Sequence, residues 1–366
     1  MKKLIKHIWK YNRVWLIVSL VIVLVVTSAS VVVTQNVFLS NTVSTILGRD
    51  RSVLVSGDPS AYQYYTKSTS DFQQFIPTVS SFDVDANGNA LSAQQQKQLA
   101  LQQAMLLNEE IAYEGFVLLK NTDNALPLTG QNVKISVFGK NSVNLVYGGS
   151  GSGGGNAANN MSLYTALRNA GFDVNPTLES FYNSSESGEG RDSNPAIGAS
   201  TTGLAIDETP QAKYTAAVKN SYDAYHGVAL IVLSRIGGEG FDLPRTMVTS
   251  YGGANVAGAK DEQHYLELDQ NEEDLIHEVV SSGKFGKVVV IINCATSMEL
   301  GFIEEMDGID AAIWIGSPGS SGINALGKIL NGSVNPSGRL VDTFATDFTA
   351  DPSYKNFGDN LSDGGN

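Results

Sequence analysis

Three stretches of strand length, Val228–Leu233, Lys287–Ile292 and Ala311–Ile315, run apolar with no polar alternation once past Lys287. Strands that read this way are buried on both faces, which is the condition of a parallel sheet covered by helices. Segments of helical period lie between and around them. Asp269-Gln270-Asn271-Glu272 has the spacing of a capping box, Leu275, Ile276, Val279 and Val280 then line one face, and Gly283 closes the helix. Ile323, Leu326, Ile329 and Leu330 mark a later helix. Upstream, Ser92-Ala93-Gln94-Gln95 opens a helix carrying Leu99, Leu106, Leu107 and Ile111, which should stop near Gly115. Val133–Phe138 reads as a strand, Met161–Ala170 as a short helix ended by Gly171, and Thr209-Pro210 as the start of another helix. The polar stretch 183–204 reads as a surface insertion, and the chain after Leu340 as a last strand. The alternation predicts an α/β fold: a mostly parallel sheet with helices on both faces, an α/β sandwich.

The first residues set a different expectation. Lys2, Lys3, Lys6, Lys10 and Arg13 precede a stretch from Val14 to Leu47 without any charge. Val14–Val33 has the length and apolarity of a transmembrane helix, and the basic flank places the N-terminus in the cytoplasm. Residues 1–36 are therefore expected to be a cytoplasmic tail and signal-anchor, 37–90 a stalk or extended arm, and 91–366 the sandwich. The chain would be a single-pass protein of the cell membrane with the sandwich outside the cytoplasm. A signal peptide cleaved near Ser28-Ala29-Ser30, or a buried core helix, stays open as an alternative. A net charge of −13 argues against nucleic acid as a partner.

The chemistry concentrates where the first apolar run ends. In open α/β sheets, ligands bind outside the carboxyl ends of the strands. Val228–Leu233 leads into Ser-Arg-Ile-Gly-Gly-Glu-Gly-Phe-Asp-Leu-Pro, Ser234–Pro244, which presents Glu239 among Gly237, Gly238 and Gly240. Those glycines remove the Cβ atoms that would keep a ligand away. A second glycine-rich stretch, Tyr147–Gly155, places Gly149, Gly151 and Gly154 in the Gly-x-Gly-x-x-Gly pattern. A dinucleotide site requires the strand to enter the glycine turn directly, and Val133–Phe138 ends well before it. No Gly-Lys-Ser/Thr follows, so a phosphate-cradling loop is not indicated either. Among His7, His226, His264 and His277 there is no His-Glu-x-x-His pair, and Cys294 is the only cysteine, so neither a metal nor a cofactor is expected. No Gly-x-Ser-x-Gly elbow exists, and Ser281-Ser282-Gly283-Lys284 lies at a helix end without companion motifs.

Ser234, Arg235, Gly238, Glu239, Gly240, Phe241 and Asp242 together resemble the acid/base loop of glycoside hydrolase family 3. Glu114–Leu128 resembles the opening of that family's α/β sandwich domain. Met298-Glu299-Leu300-Gly301, Trp314-Ile315-Gly316-Ser317-Pro318-Gly319, Asn324-Ala325-Leu326 and Asn335–Leu340 resemble its closing region. The resemblance covers roughly residues 91–358 and departs at Val341, where relatives usually have proline.

The resemblance implies a retaining, β-glucosidase-like hydrolase of β-glycosidic bonds, with Glu239 as general acid/base. It assigns substrate contacts to Arg235, Gly238, Gly240, Phe241 and Asp242, and to the glycine-rich loop at Gly149, Ser150 and Gly151. It also implies that the nucleophilic Asp comes from a separate (β/α)₈ barrel, for which this length leaves no room. With an anchor and stalk where the barrel usually stands, the expected arrangement is permuted, the barrel following in cis or acting in trans. Ser187-Gly188-Glu189-Gly190 repeats the core of the motif, but no core strand feeds it, so Glu239 is preferred. The expected substrate is a β-glucoside, a disaccharide or an oligosaccharide. The other function class is a non-catalytic, membrane-anchored carbohydrate-binding or scaffold protein.

Overall fold

The computed structural model of the chain describes residues 15, 17–28, 91–130, 132–149, 151–155, 159–192, 204–239, 243–251, 253–352 and 354. The chain divides into two compact units, Met1–Thr78 and Val79–Asn366. In the first, residues 17–28 are helical with exposed side chains. At about 1.5 Å per residue that stretch rises roughly 18 Å, against about 30 Å of bilayer hydrocarbon. Among the described residues no helix is long and apolar enough to cross a membrane. The expected span Val14–Val33 is thus found only in part; Val14, Leu16 and residues 29–33 lie outside the described residues, as does the expected stalk.

The second unit is built on a six-stranded sheet. Its strands are β1 (Val117–Asn121), β2 (Lys134–Phe138), β3 (Asp173–Val174), β4 (Val228–Arg235), β7 (Val288–Cys294) and β8 (Ala311–Trp314), in the spatial order β1-β8-β7-β4-β2-β3. A separate two-stranded hairpin joins β5 (Ser250–Tyr251) to β6 (Ala254–Asn255). In the large sheet every pairing is parallel except β1 with β8. The long helices are α1 (Ala93–Gly115), α5 (Gln270–Ser281) and α7 (Gly319–Leu330). The shorter ones are α2 (Leu163–Asn169), α3 (Pro176–Tyr182), α4 (Ala216–Ser221) and α6 (Gly301–Glu305).

The apolar runs explain the layering. All eight residues of β4 and all seven of β7 are buried. Alternate side chains feed two separate cores, as the two-residue period of a strand requires. Val228, Leu230 and Val232 join Val289, Ile291 and Ile313 under α1, α2 and α7, through residues such as Ala112, Leu167 and Leu326. Ala229, Ile231 and Leu233 join Val290 and Ile292 under α3, α5 and α6, through residues such as Phe181, Ile276 and Ile303. Helices therefore cover both faces, as the continuous apolar strands predict.

Both expected capping boxes form, Ser92 with Gln95 and Asp269 with Glu272. Helix α7 starts behind Pro318 and has no cap of its own. Asn108 of α1 supplies one: its Oδ1 accepts the N–H groups of Ser321 at 3.0 Å and Gly322 at 3.2 Å, and its Nδ2 donates to Pro318 O at 2.9 Å.

Three local expectations are corrected. The helix expected from Thr209 begins later, because Glu208 takes the Thr209 N–H and Thr215 caps α4 through Val218 N. The start of the expected surface insertion is only partly at the surface: Asn183, Ser185, Glu186 and Glu189 are exposed, but others are buried. Ser187, Gly190 and Arg191 are buried, and Arg191 donates to Asn141 Oδ1 at 3.0 Å and Asp192 O at 2.8 Å. No strand follows Leu340 among the described residues: Val341 is 96% exposed, and β1 is already the antiparallel partner of β8.

Candidate active site

The sheet order places the site. From β2 the chain crosses to β3 on one side and then to β4 on the other, so the winding reverses between β2 and β4. A crevice outside the carboxyl ends of two such strands is where doubly wound sheets bind ligands. The loop after β2 carries the glycine-rich stretch, and the loop after β4 carries Glu239. The two loops meet: a Cβ added to Gly149 would lie 3.7 Å from Gly237 O and 3.9 Å from Gly238 Cα. Glu239 and Gly238 are exposed, and Gly151 is exposed on the neighbouring loop. Gly240, Phe241, Asp242 and Ser150 lie outside the described residues. The decoy Glu189 is also exposed, but it sits past a 3₁₀ turn (Ser185–Ser187) and is fed by no strand.

One glycine here is required by space and a second is tightly packed. A Cβ on Gly148 would come within 2.7 Å of Gly153 O, so the glycine-rich loop can fold back on itself only without one. A Cβ on Gly237 would come within 3.2 Å of Thr296 Cγ2, so the loop carrying Glu239 packs closely on the chain leaving β7.

Arg235 does not face the crevice. It is fully buried, and all five of its N–H groups go to protein acceptors. Nε donates to Tyr265 O at 2.7 Å, Nη1 to Ser234 O at 2.9 Å, and Nη2 to Glu267 O. Nη1 and Nη2 also fork onto the Glu272 carboxylate at 2.8 and 2.7 Å. No donor remains for a sugar, so its assignment as a substrate contact is replaced by that of a positioning residue, which fixes the root of the loop that carries Glu239. Tyr265 does the same one residue on, since its hydroxyl accepts from Ile236 N at 2.9 Å and donates to Ile236 O at 3.1 Å. Val146, Ile236, Met247, Tyr265 and Leu266 form a third apolar cluster beneath these loops.

A residue not singled out in the sequence ties the strand ends together beneath these loops. Asn293, fully buried in β7, accepts from Val146 N at 2.6 Å and Ser234 Oγ at 2.9 Å. It donates to Val146 O at 3.0 Å and Gly316 O at 2.8 Å. One amide thus links the segments following β2 and β8 to the end of β4. Its only signal in the sequence is a polar residue inside an otherwise apolar strand. Cys294 beside it is the small core residue expected, and burial pushes its thiol up to about 12.

A buried polar cluster lies behind β2. The Glu208 carboxylate is fully buried and accepts Lys140 N at 2.8 and 3.0 Å and Thr209 N at 2.8 Å. Burial pushes it up to about 8, against the pull of those donors. The Lys140 ammonium instead donates to Tyr182 O and Ser187 Oγ, each at 2.8 Å.

His264, Glu267 and Glu299 have the spacing of a three-ligand metal group, with ligand atoms within 4.8 Å of one another. The hydrogen bonds assign the ring differently. Leu266 N donates to Nδ1 at 3.2 Å, so the ring proton of the neutral imidazole is on Nε2, 2.9 Å from Glu299 Oε1. Each carboxylate also takes a backbone N–H, from His264 at 2.7 Å and from Phe348 at 2.6 Å. The donor set fits a hydrogen-bonded clasp on the segment around Phe348 better than a cation site.

The profile of the Glycosyl hydrolase family 3 C-terminal domain matches residues 116–365. Beta-glucosidase A of Butyrivibrio fibrisolvens is 29% identical over 265 residues, which is 70% of this chain and 30% of that protein. The beta-glucosidase of Ruminococcus albus is 29% identical over 255 residues, 68% of this chain and 24% of that protein. Beta-glucosidase 3B from Thermotoga neapolitana, solved in complex with alpha-D-glucose, superposes with a TM-score of 0.54 at 27% identity, over 70% of this chain and 32% of its own. The chain thus spans about a third or less of the length of these relatives. With the profile covering more than half of its residues, the chain belongs to glycosyl hydrolase family 3, through that family's C-terminal domain.

Proposed function

We propose that this chain is a component of a retaining β-glycosidase acting on β-glucosides, with Glu239 as the general acid/base. The observation that carries the reading is the placement of Glu239. It leaves the carboxyl end of the fully buried β4 at the winding reversal, on a loop whose root is fixed by Arg235 and which lies against a second glycine-rich loop. A nucleophilic carboxylate attacks the anomeric carbon while Glu239 gives its proton to the departing oxygen. The glycosyl-enzyme is then hydrolysed by a water whose proton returns to Glu239, restoring both groups. The nucleophile is assigned to a (β/α)₈ barrel outside these 366 residues, supplied in cis or in trans.

On this chain Glu239 is exposed. Packing a barrel over the crevice would exclude water and bring a second carboxylate near, and both raise a carboxyl group toward the range a general acid needs. The purified chain should therefore hydrolyse no β-glucoside above background, and adding a matching barrel domain should restore hydrolysis. Robust activity from the chain by itself would overturn this division of labour. We place the enzyme at the cell membrane, anchored by the uncharged stretch Val14–Val33 with the sandwich outside. After an alkaline carbonate wash the chain should stay with the membranes; release of a product starting near residue 30 would show cleavage instead.

A further inference from the structure

Among the described residues two arginines are buried, and their charges are met differently. Arg235 forks onto Glu272 and spends all its N–H groups on protein acceptors. Arg191 is 3% exposed and has no such partner. Its Nε donates to Asn141 Oδ1 at 3.0 Å, its Nη1 to Asp192 O at 2.8 Å, and its Nη2 to Asn144 O. A guanidinium has five N–H groups. Here three bonds use it, and every acceptor is a neutral oxygen. Asp192 attracts the charge through space but bonds it only with its backbone carbonyl. The stretch 193–203 that follows contains no Asp or Glu. Burial pulls the Arg191 guanidinium down to about 10, while burial of Arg235 is outweighed by Glu272.

Asn141, 1% exposed, lies against this guanidinium. The Nε–H fixes its amide orientation, since a flipped amide would set N–H against N–H. Its Nδ2 is then a buried donor with no acceptor among the described residues. Lys140, the preceding residue, is a second buried cation. Its ammonium bonds neutral oxygens, Tyr182 O and Ser187 Oγ at 2.8 Å and Ser184 O at 3.4 Å. Glu208, Glu189 and Asp207 attract it only through space, and Glu208 bonds the Lys140 backbone N–H instead. The turn Lys140–Val143, on the way from β2 to the glycine-rich loop, thus holds two buried positive charges with no carboxylate bonded to either. A water can satisfy a buried donor, but it does not balance a buried charge.

We propose that Arg191 and the Asn141 amide bind a monoatomic anion, chloride in a saline medium, at the turn leaving β2. Burial this complete excludes a phosphate, a sulfate or a sugar acid. An enclosed ion reaches such a place through local opening of the fold. The anion supplies the charge that Glu272 supplies to Arg235, and it secures the turn that leads into the glycine-rich loop. The proposal is independent of the role of Glu239 and is read without hydrolysis.

The test is thermal unfolding of the full chain while chloride replaces gluconate at constant ionic strength. Wild type should rise along a saturating curve by at least about 2 °C, and bromide should substitute for chloride. Asn141→Asp sets a carboxylate beside Arg191, so this variant should melt at one temperature throughout the exchange. If it does not fold by circular dichroism, Arg191→Gln, which removes the charge, should be equally indifferent to chloride. Independently of any variant, crystals grown in bromide should show an anomalous signal in contact with Arg191 and Asn141. Wild-type melting that ignores chloride would overturn the proposal and assign the remaining N–H groups to water. A chloride response that persists in the folded variant, or a bromide signal found only elsewhere, would overturn it as well.

Discussion

Arg235 and Glu272 form a forked ion pair inside the protein, with Nη1–Oε1 at 2.8 Å, Nη2–Oε2 at 2.7 Å and both side chains fully buried. The pair ties the last residue of β4 to the first turn of α5. There Glu272 also accepts the Asp269 N–H at 3.1 Å and completes the capping box. The helix N-terminus favours the carboxylate, and the carboxylate keeps the guanidinium paired. The chain therefore enters the Glu239 loop from a fixed point.

Breaking this pair should be costly, because the remaining partner would be a buried, uncompensated charge. Glu272→Ala is expected to lose about 3–5 kcal/mol in urea denaturation. Arg235→Lys should recover little, since an ammonium cannot serve the five-donor fork. A loss below about 1 kcal/mol in either variant would contradict the role given to the pair.

Asn293 should be unforgiving in a different way. Asn293→Ala leaves the Val146 N–H and C=O, the Ser234 hydroxyl and the Gly316 carbonyl without this partner. A buried group left unsatisfied costs about 1–3 kcal/mol, so a loss above about 2 kcal/mol is expected. Hydrogen exchange should also quicken in the segments after β2 and β8 together. Faster exchange in one of them alone would show that the amide does not couple them.

The frame of the molecule was legible because its signals are local. Uninterrupted apolar runs gave β4, β7 and β8, and two capping boxes gave the starts of α1 and α5. The loop carrying Glu239 was legible as a glycine-rich stretch at the end of such a run. What was not legible depends on partners far apart in sequence. Arg235 reads as a site residue until its bonds to Tyr265, Glu267 and Glu272 are seen. Asn293 pairs with Val146, 147 residues away. The stretch read as a surface insertion is polar in composition, yet Arg191 is buried there because Asn141 and Asn144 accept its guanidinium.

Glu208 makes stability depend on pH. Its carboxyl has an ordinary value of 4.5 and is pushed up to about 8 in the fold, first by burial. A group raised in the folded state stabilises it while protonated, so this contribution is full below about pH 4.5 and is lost as pH rises toward about 8. Glu208→Gln stays neutral and keeps an acceptor for the Lys140 and Thr209 N–H groups. The variant should be more stable than wild type at pH 8 and flatter in its pH profile between 5 and 8. Some slope should remain, because burial and the charge of Glu272 also raise Asp269. Parallel profiles for the two proteins would rule out Glu208 as the source.

The central claim is that Glu239 protonates the leaving group, and a leaving-group series in the assembled enzyme tests it most directly. Protonation matters little when the departing oxygen is already a good leaving group. Glu239→Gln should therefore slow cleavage of cellobiose by about 10²–10⁴-fold while sparing an activated aryl glucoside in the first step. Azide should restore turnover of the aryl glucoside by attacking the glycosyl-enzyme in place of water. Glu189→Gln, which alters the repeated motif fed by no strand, should leave both substrates unchanged. Equal losses on cellobiose and the aryl glucoside in Glu239→Gln, or a loss in Glu189→Gln instead, would contradict the account.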